Sequence, residues 1–350
     1  MAQTKITDAN LASSGTMPAW DGSNMTNIGD GIEKGANNPT ITSGNGKAVG
    51  TIYLNTTTGQ MYCLTDTTAG ANIWTNIGGG SGDVKPAYSA TGGTITTVGS
   101  YTYHTFTSSG TFQVTALAPT GTMEYMLVAG GGGGGAGHGG GGGAGGLLEN
   151  NSFSPSIASY NVVIGAGGAG KASDGNGSSG SDSTFNSQTA IAGGYGAGYS
   201  NIGGAGGSAG GSGGSNSSTP TAGTAGQGNA GGKSDGYVNS AGGGGGGKGG
   251  AGTDGQSTSP YGTGGNGGAG YDWKSLGTTY AGGGGGGSDN TDPGGTGGGG
   301  AGQGTGSQGN ATAGTANRGH GGGGGGAGMS GAPRNSAAGG SGVVIIRYLA

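Results

Sequence analysis

Six uninterrupted glycine runs limit what this chain can become: Gly130–Gly135, Gly139–Gly143, Gly242–Gly247, Gly282–Gly287, Gly297–Gly300 and Gly321–Gly326. Glycine makes up 104 of the 350 residues. It brings no group that can catalyse, ligate a metal or fill an apolar core, and it loses more conformational freedom on ordering than any other residue. Such runs either stay loose or enter an architecture that packs the bare backbone itself. The polyproline-II-type helix offers the second course, with three residues per turn, a rise of about 3.1 Å per residue and no internal hydrogen bonds. Where all three faces are glycine, these helices can lie side by side and give their backbone bonds to neighbours, aided by Cα–H···O contacts. A six-residue run then spans about 19 Å.

Features of the spacers favour that packed lattice over a flexible linker. The runs repeat at similar length, Ala or Ser replaces Gly at their margins, and the spacers hold Tyr, Trp, Asp, Asn and Pro. There is also an internal echo between the segments beginning Gly137-His138 and Gly319-His320. The scaffold glycines expected to lie inside such a lattice include Gly132, Gly141, Gly167, Gly244, Gly284, Gly298 and Gly323. The expected fold class is mainly β and irregular: small N-terminal β-meander modules, then a polyglycine-II sandwich with a small capping sheet, and almost no α-helix.

Four regions follow from the shifts in composition. Residues 1–48 hold turn formers with little periodicity and read as an extended attachment region. Residues 49–82 carry three short β runs, Thr51–Leu54, Gln60–Leu64 and Asn72–Ile77, around Gly-bearing turns, closed by the linker at Gly78–Gly80. So small a meander cannot bury a stable core alone, and help from neighbouring subunits is expected. Residues 83–120 read as a hairpin module, with arms Tyr101–Thr107 and Thr111–Thr115 and with His104 as a half-exposed strand histidine. Residues 121–350 are the glycine-rich body. Three apolar islands bracket it, Tyr125–Ala129, Tyr160–Ile164 and Val343–Tyr348, and they read as strands of one small sheet that gathers both ends.

Several function classes lose support. Charged residues are 7%, and the net charge of -4 has no basic cluster behind it, so nucleic acid has no electrostatic footprint. Cys63 is the single cysteine, which rules out an intrachain disulfide and a thiol-based zinc site. No stretch reaches the ~18 apolar residues of a membrane helix, and the N-terminus lacks the apolar region of a secretory signal. A soluble protein made in the cytosol, with no membrane insertion, is expected. Gly165-Ala-Gly-Gly-Ala-Gly170 after Val162–Ile164 satisfies a dinucleotide fingerprint, with Asp182 near the ribose-binding distance. The residues that follow cannot open the helix such a site needs, so no cofactor is expected. His138 and His320 precede glycine runs and read as run ends with the ring facing water, since they lack a carboxylate ligand set. Ser, His and Asp are all present, yet no nucleophile elbow is, and an enzyme is not expected.

The succession Phe106–Thr115, Glu124–Gly135, Tyr160–Gly170 and Gly339–Tyr348 resembles glycine-rich tail-fibre and adhesin proteins of tailed bacteriophages, of the marine-phage type. The segment Val49–Asn55 through Trp74–Gly78 is similar to small modules of the same kind of virion protein. The resemblance covers about two-thirds of the chain. It implies a polyglycine-II sandwich whose loops bind a host surface receptor, an outer-membrane protein or glycan. It further implies a place in the virion tail beside other tail proteins, and a homo-oligomer, a trimer, held by the N-terminal modules. Residues 1–48 depart from the attachment region of those adhesins.

Recognition would then fall to the few aromatics of the body, since Tyr and Trp give rigid contact area at low entropic cost. If every glycine segment reverses direction, the loops 146–163, 199–202, 233–240, 271–280 and 305–318 share one end. That set holds the receptor-binding candidates Tyr199, Tyr237, Tyr271, Asp272, Trp273 and Tyr280. The other end, 171–191, 215–229, 253–261, 288–293 and 332–337, is mostly Ser, Thr, Asn, Asp and Gly. Clamping of the lattice ends is the alternative role for these aromatics. A purely structural fibre or decoration subunit is the alternative for the whole chain.

Overall fold

The computed structural model describes residues 32–77, 87–118, 121–218, 220–236, 241–258, 261–288, 295–298, 311–326 and 335–349. They fall into two compact units, Met1–Tyr88 with Ala116–Gly121, and Ser89–Thr115 with Thr122–Ala350. The linker glycines Gly78–Gly80 and most of the region expected to be extended lie outside the described residues. Among the described residues the fold is mainly β and irregular, without an α-helix; the one helical element is a 3-10 turn at Trp273–Ser275.

In the first unit β1 (Ile32–Gly35) runs parallel to β2 (Ile52–Asn55), and β2, β3 (Met61–Asp66) and β4 (Ile73–Asn76) form an antiparallel meander. Its core is Tyr62, Leu64 and Trp74, with Tyr53 edge-on to Trp74 at 5.7 Å. The loop before β2 closes that core: Asn72 Nδ2 donates to the Ile41 carbonyl at 2.5 Å and to Asn45 Oδ1 at 2.7 Å. Residues that carry no periodicity in the sequence thus supply cover to the meander.

In the second unit, β5 (Ser89–Thr91), β6 (Thr94–Val98), β7 (Tyr101–Phe106), β8 (Gly110–Ala116), β9 (Met123–Val128), β10 (Leu147–Phe153), β11 (Ser159–Val163), β12 (Ser183–Phe185), β13 (Gln188–Ala190) and β18 (Val343–Leu349) build two sheets. Their orders are β10-β9-β18-β7-β6 and β13-β12-β11-β8-β5. The sheets face one another across rings: Tyr125 stands 5.0 Å from Phe185, and His104 5.1 Å from Phe112, both edge-on. β18 is central, buried on both faces, and so reads as a continuous apolar run, Val343–Ile346. Two-residue and three-residue hairpins complete the unit: β14 (Gln256–Thr258) with β15 (Tyr261–Thr263), and β16 (Tyr271–Asp272) with β17 (Thr279–Tyr280).

Three expectations change here. The arms at Tyr101–Thr107 and Thr111–Thr115 do not pair as a hairpin. β7 pairs with β6 and β18 in one sheet, while β8 pairs with β11 in the other. A lone hairpin is marginal in water; here Phe106 and Phe112 meet across the sheets, 6.5 Å apart, and both are buried. Ser89–Thr115 accordingly belongs to the glycine-rich unit instead of a module of its own. The three apolar islands, too, are divided: the strands at Tyr125 and Val343 are neighbours, and the one at Tyr160 lies in the facing sheet. His104, finally, is fully buried. Its Nδ1–H donates to the Gly92 carbonyl at 2.8 Å, which leaves Nε2 to accept from the Tyr348 hydroxyl at 3.0 Å.

Burial holds the His104 imidazole below the usual histidine range, the bond to Gly92 pulling the other way. A group that stays neutral in the folded chain and charges in the unfolded one favours unfolding as pH drops. The stability it permits is whole above the unfolded pKa of about 6.5 and is lost below it, by at most ~1.4 kcal/mol per pH unit. Urea unfolding between pH 7.5 and 5 should show that decline. His104→Gln should lower stability at pH 7.5 and flatten the decline; an equal slope in the variant would assign it to other groups.

The glycine runs form a hexagonal array. The N–H groups of Gly130 and Gly133 donate to Ser181 and Ser178, those of Gly131 and Gly134 to Gly340 and Ala337, and those of Gly132 and Gly135 to Gly143 and Gly140, all at 2.9–3.0 Å. The carbonyls of Gly130 and Gly133 accept from Gly193 and Gly196, that of Gly131 from Gly168, and those of Gly132 and Gly135 from Gly322 and Gly325. Every third residue thus faces the same neighbour, the three-residue repeat of a polyproline-II-type helix, and the run is bonded on six sides. The run 139–146 has the same surroundings: it donates to 319–325, 191–197 and 243–246, and accepts from 284–287, 129–135 and 208–211.

The scaffold glycines named above occupy this array. Gly141 donates to Gly243, Gly244 to Thr253, Gly284 to Gly142, Gly298 to Gly283 and Gly323 to Thr312. A methyl built on Gly167 would strike the Gly339 carbonyl. No described glycine of the runs has a positive φ. Close approach is what demands glycine: a Cβ on Gly131, Gly132 or Gly133 would fall on the carbonyl oxygen of His320, Gly194 or Ala169.

Candidate recognition site at the turn end of the glycine array

The bonds fix which end of the array each turn occupies. Segment 129–136 leaves β9 at the sheet end, so Gly137 and His138 turn at the opposite end, called here the turn end. Gly193 donates to Gly130 and Gly196 to Gly133, so 193–198 runs the same way and delivers Tyr199 to the turn end. Gly265 donates to Gly242 and Gly268 to Gly245, while Gly141 donates to Gly243 and Lys248 Nζ to the Leu147 carbonyl at 3.1 Å. Residues 271–280 therefore lie at the sheet end. The expected single aromatic end is divided: Tyr199 stands at one end, and Tyr271, Asp272, Trp273 and Tyr280 at the other. The cause is the chain's path, because spacers expected to be single turns hold further array segments that reverse direction, as within 171–191, where Gly177 donates to Gly196 and Gly180 to Gly193. Tyr237 lies outside the described residues.

At the sheet end, Trp273 is 0% exposed and packs with Tyr103, Met126, Val128, Leu147, Val343 and Ile345 on the outer face of the β9–β18–β7 sheet. Tyr271 and Tyr280 pair across β16 and β17 and lie against the same cluster. Asp272 Oδ2 accepts from the Gly277 N–H at 3.0 Å and closes the turn, in which Lys274 and Ser275 hold φ of 57 and 54. The Arg347 guanidinium lies 4.3 Å from the Tyr101 ring centre and 5.3 Å from that of Trp273, and its Nε donates to Glu124 Oε2 at 2.6 Å. Lys274 Nζ reaches the same carboxylate at 3.3 Å. Burial first, then the negative charge of Glu149 3.3 Å from its hydroxyl, pushes the Tyr271 pKa up. Burial pushes the Tyr280 phenol up as well. These groups clamp a hairpin onto a sheet, and a receptor has no access to the Trp273 indole. His320 is also buried here, its Nε2–H donating to the Thr279 carbonyl at 3.1 Å, and it does not face water as its place at a run end suggested.

At the turn end the exposed side chains sit on fixed backbone. Tyr199 is 37% exposed and Ile202 39%, and the Tyr199 ring lies 5.2 Å from that of His138. The loop beneath is tied at each residue. Gly198 N–H donates to Asn176 Oδ1 at 2.8 Å, Ser215 N–H to the Tyr199 carbonyl at 2.9 Å, Asn216 Nδ2 to the Ser200 carbonyl at 2.9 Å and Gly213 N–H to the Asn201 carbonyl at 3.0 Å. Beside it, Ser217, Lys233, Ser234, Asp235, Asp254, Gly255 and Gln256 line a polar cleft of about 300 Å³. Lys233 N–H donates to Asp254 Oδ1 at 2.9 Å. The cleft escapes sequence reading because its residues are ordinary polar ones brought together by the array.

Among the described residues no group of three or more His, Cys, Asp or Glu stands ready to hold a metal. The fingerprint segment 165–170 is one strand of the array, with Gly168 donating to Gly131, and Asp182 accepts from the Ala192 N–H at 2.7 Å. No described helix is long and apolar enough to cross a membrane.

Fold and site together describe a glycine-helix scaffold whose side-chain chemistry is displaced to its ends. A model of the glycine-rich domain matches residues 107–349, and the chain belongs to that family. Comparison with curated proteins finds no match.

Proposed function

We propose that this chain is a non-enzymatic tail-fibre or adhesin protein of a tailed bacteriophage, which attaches the virion to the host cell surface. The observation that carries the reading is the turn end itself: the glycine runs offer a partner nothing but backbone, while Tyr199 and Ile202 stand exposed there on a loop tied by hydrogen bonds. Preorganised loops bind without a large ordering cost. The sequence resemblance supplies the virion setting, with other tail proteins and further copies of the chain as assembly partners and a host receptor as the ligand. The chain enters the glycine-rich unit at the sheet end, through β5, which supports the turn end as the side that meets the receptor.

Purified protein should bind candidate host cells and compete with phage adsorption. Tyr199→Ala should raise the concentration needed for half-competition by at least roughly tenfold, a loss of about 1.4 kcal/mol, with the melting temperature unchanged. A protein that neither binds nor competes is a spacer, and the proposal fails.

A further inference from the structure

We propose that β6 is an interface through which two copies of this chain join, edge to edge. It is the last strand of its sheet, hydrogen-bonded to β7 alone, and all of its residues, Thr94, Ile95, Thr96, Thr97 and Val98, are exposed. Ile95 is 50% and Val98 59% exposed, and by strand alternation they face opposite sides. Every residue is β-branched, the type that favours extended pairing. The register with β7 is regular from Thr94↔Thr105 to Val98↔Tyr101, without a bulge.

Native proteins blunt such edges with charge, proline, bulges or brevity, and the other edges of these two sheets are blunted. β10 carries Glu149 and a register shift between Asn150 and Phe153, while β5 and β13 are three residues long. β6 has none of these devices.

The occupant that fits is a second copy. The strand is bounded by turn glycines, Gly93 at φ +64 and Gly99 at φ +59, so only its five residues can overlap a partner. An antiparallel match centred on Thr96 uses all of them, setting Thr94 beside the partner's Val98 and Ile95 beside the partner's Thr97. No charge opposes a like charge, and Thr–Thr and Thr–Val neighbours are favourable cross-strand pairs. The arrangement is two-fold and therefore closes at two copies. A five-residue strand pair is a small interface, so the dimer is expected to depend on concentration.

Light scattering of the full chain at on the order of 100 μM, a range suited to a small interface, should give the mass of a dimer that dissociates on dilution. Thr96→Lys opposes two ammonium groups across the axis and should weaken association at least about tenfold while the thermal melt is unchanged. In a Cys63→Ser background, Thr96→Cys should cross-link as a dimer on mild oxidation, and Thr57→Cys, exposed in the other unit, should not. A single-chain mass at that concentration, a trimer, a dimer indifferent to Thr96→Lys, or equal cross-linking at both positions overturns the proposal.

Discussion

Gly141→Val is expected to abolish the cooperative thermal transition of the glycine-rich unit, and Gly141→Ala to lower it. Gly141 lies in the middle of the array, donating to Gly243 at 3.0 Å and accepting from Gly211 at 2.8 Å. An added Cβ would overlap the carbonyl of Gly284, which is backbone and cannot swing aside. Gly284 in turn donates to Gly142 and accepts from Gly245, so a shift large enough for a methyl is passed to neighbouring segments. Overpacking a close-packed interior costs about 1–3 kcal/mol where side chains can adjust. A backbone lattice has no rotamers to adjust, which puts alanine at or above the top of that range. For a unit of this size that is a fall of roughly 2–4 °C per kcal/mol. Gly226→Asn is the control: φ there is +76, which Asn tolerates, and nothing lies within 4 Å of the added carbon. Circular dichroism melts decide the matter, and a Gly141→Val protein that melts like the parent would remove the lattice as the source of stability.

Trp273→Ala should cost about 3–5 kcal/mol, the range for deleting a large buried aromatic. The indole fills the space between the β16–β17 hairpin and the sheet, and it is one of the rings beside which the Arg347 guanidinium lies. Its loss leaves a cavity and removes a cation–π contact from a charge paired with Glu124. The hairpin should loosen, seen as faster amide exchange at Tyr271–Tyr280 and a lower melting temperature. Adsorption separates the two roles that the sequence allows this tryptophan. Lost host binding at an unchanged melting temperature would make it a receptor contact after all; a destabilised protein that still competes when held below its transition is the expected result.

Much of the fold can be read from residue types. The glycine runs, the strand character of Tyr125–Val128 and Val343–Tyr348, and the meander at 49–82 follow from composition and alternation. The Thr94–Val98 strand carries its own signal in five β-branched residues, a weaker one than the aromatic and apolar alternation of the arms beside it. The burial of His104 and His320 was not legible, because nothing near either residue in the chain says which distant segment will cover it. Tyr348 and Thr279 do so, at separations of 244 and 41 residues. The aromatic loops failed for a related reason: assigning Tyr199 and Trp273 to ends requires the direction of every intervening segment.

By itself, then, the sequence determined the kind of cohesion available to this protein. With so little side-chain volume in the runs, only backbone-to-backbone bonding can hold the body together, and side-chain chemistry must sit in the spacers and the bracketing strands. Only the tertiary structure decided which segment borders which, and which turns meet at each end. The physical reason is degeneracy. One six-glycine run offers the same donors and acceptors as another, so any pairing satisfies the local bonds equally. The choice among pairings falls to the side chains at the margins, through Tyr125 against Phe185, Trp273 under its hairpin and Asn176 beneath Gly198. These contacts join residues far apart in the chain, and they set Tyr199 at the turn end and Trp273 in the core.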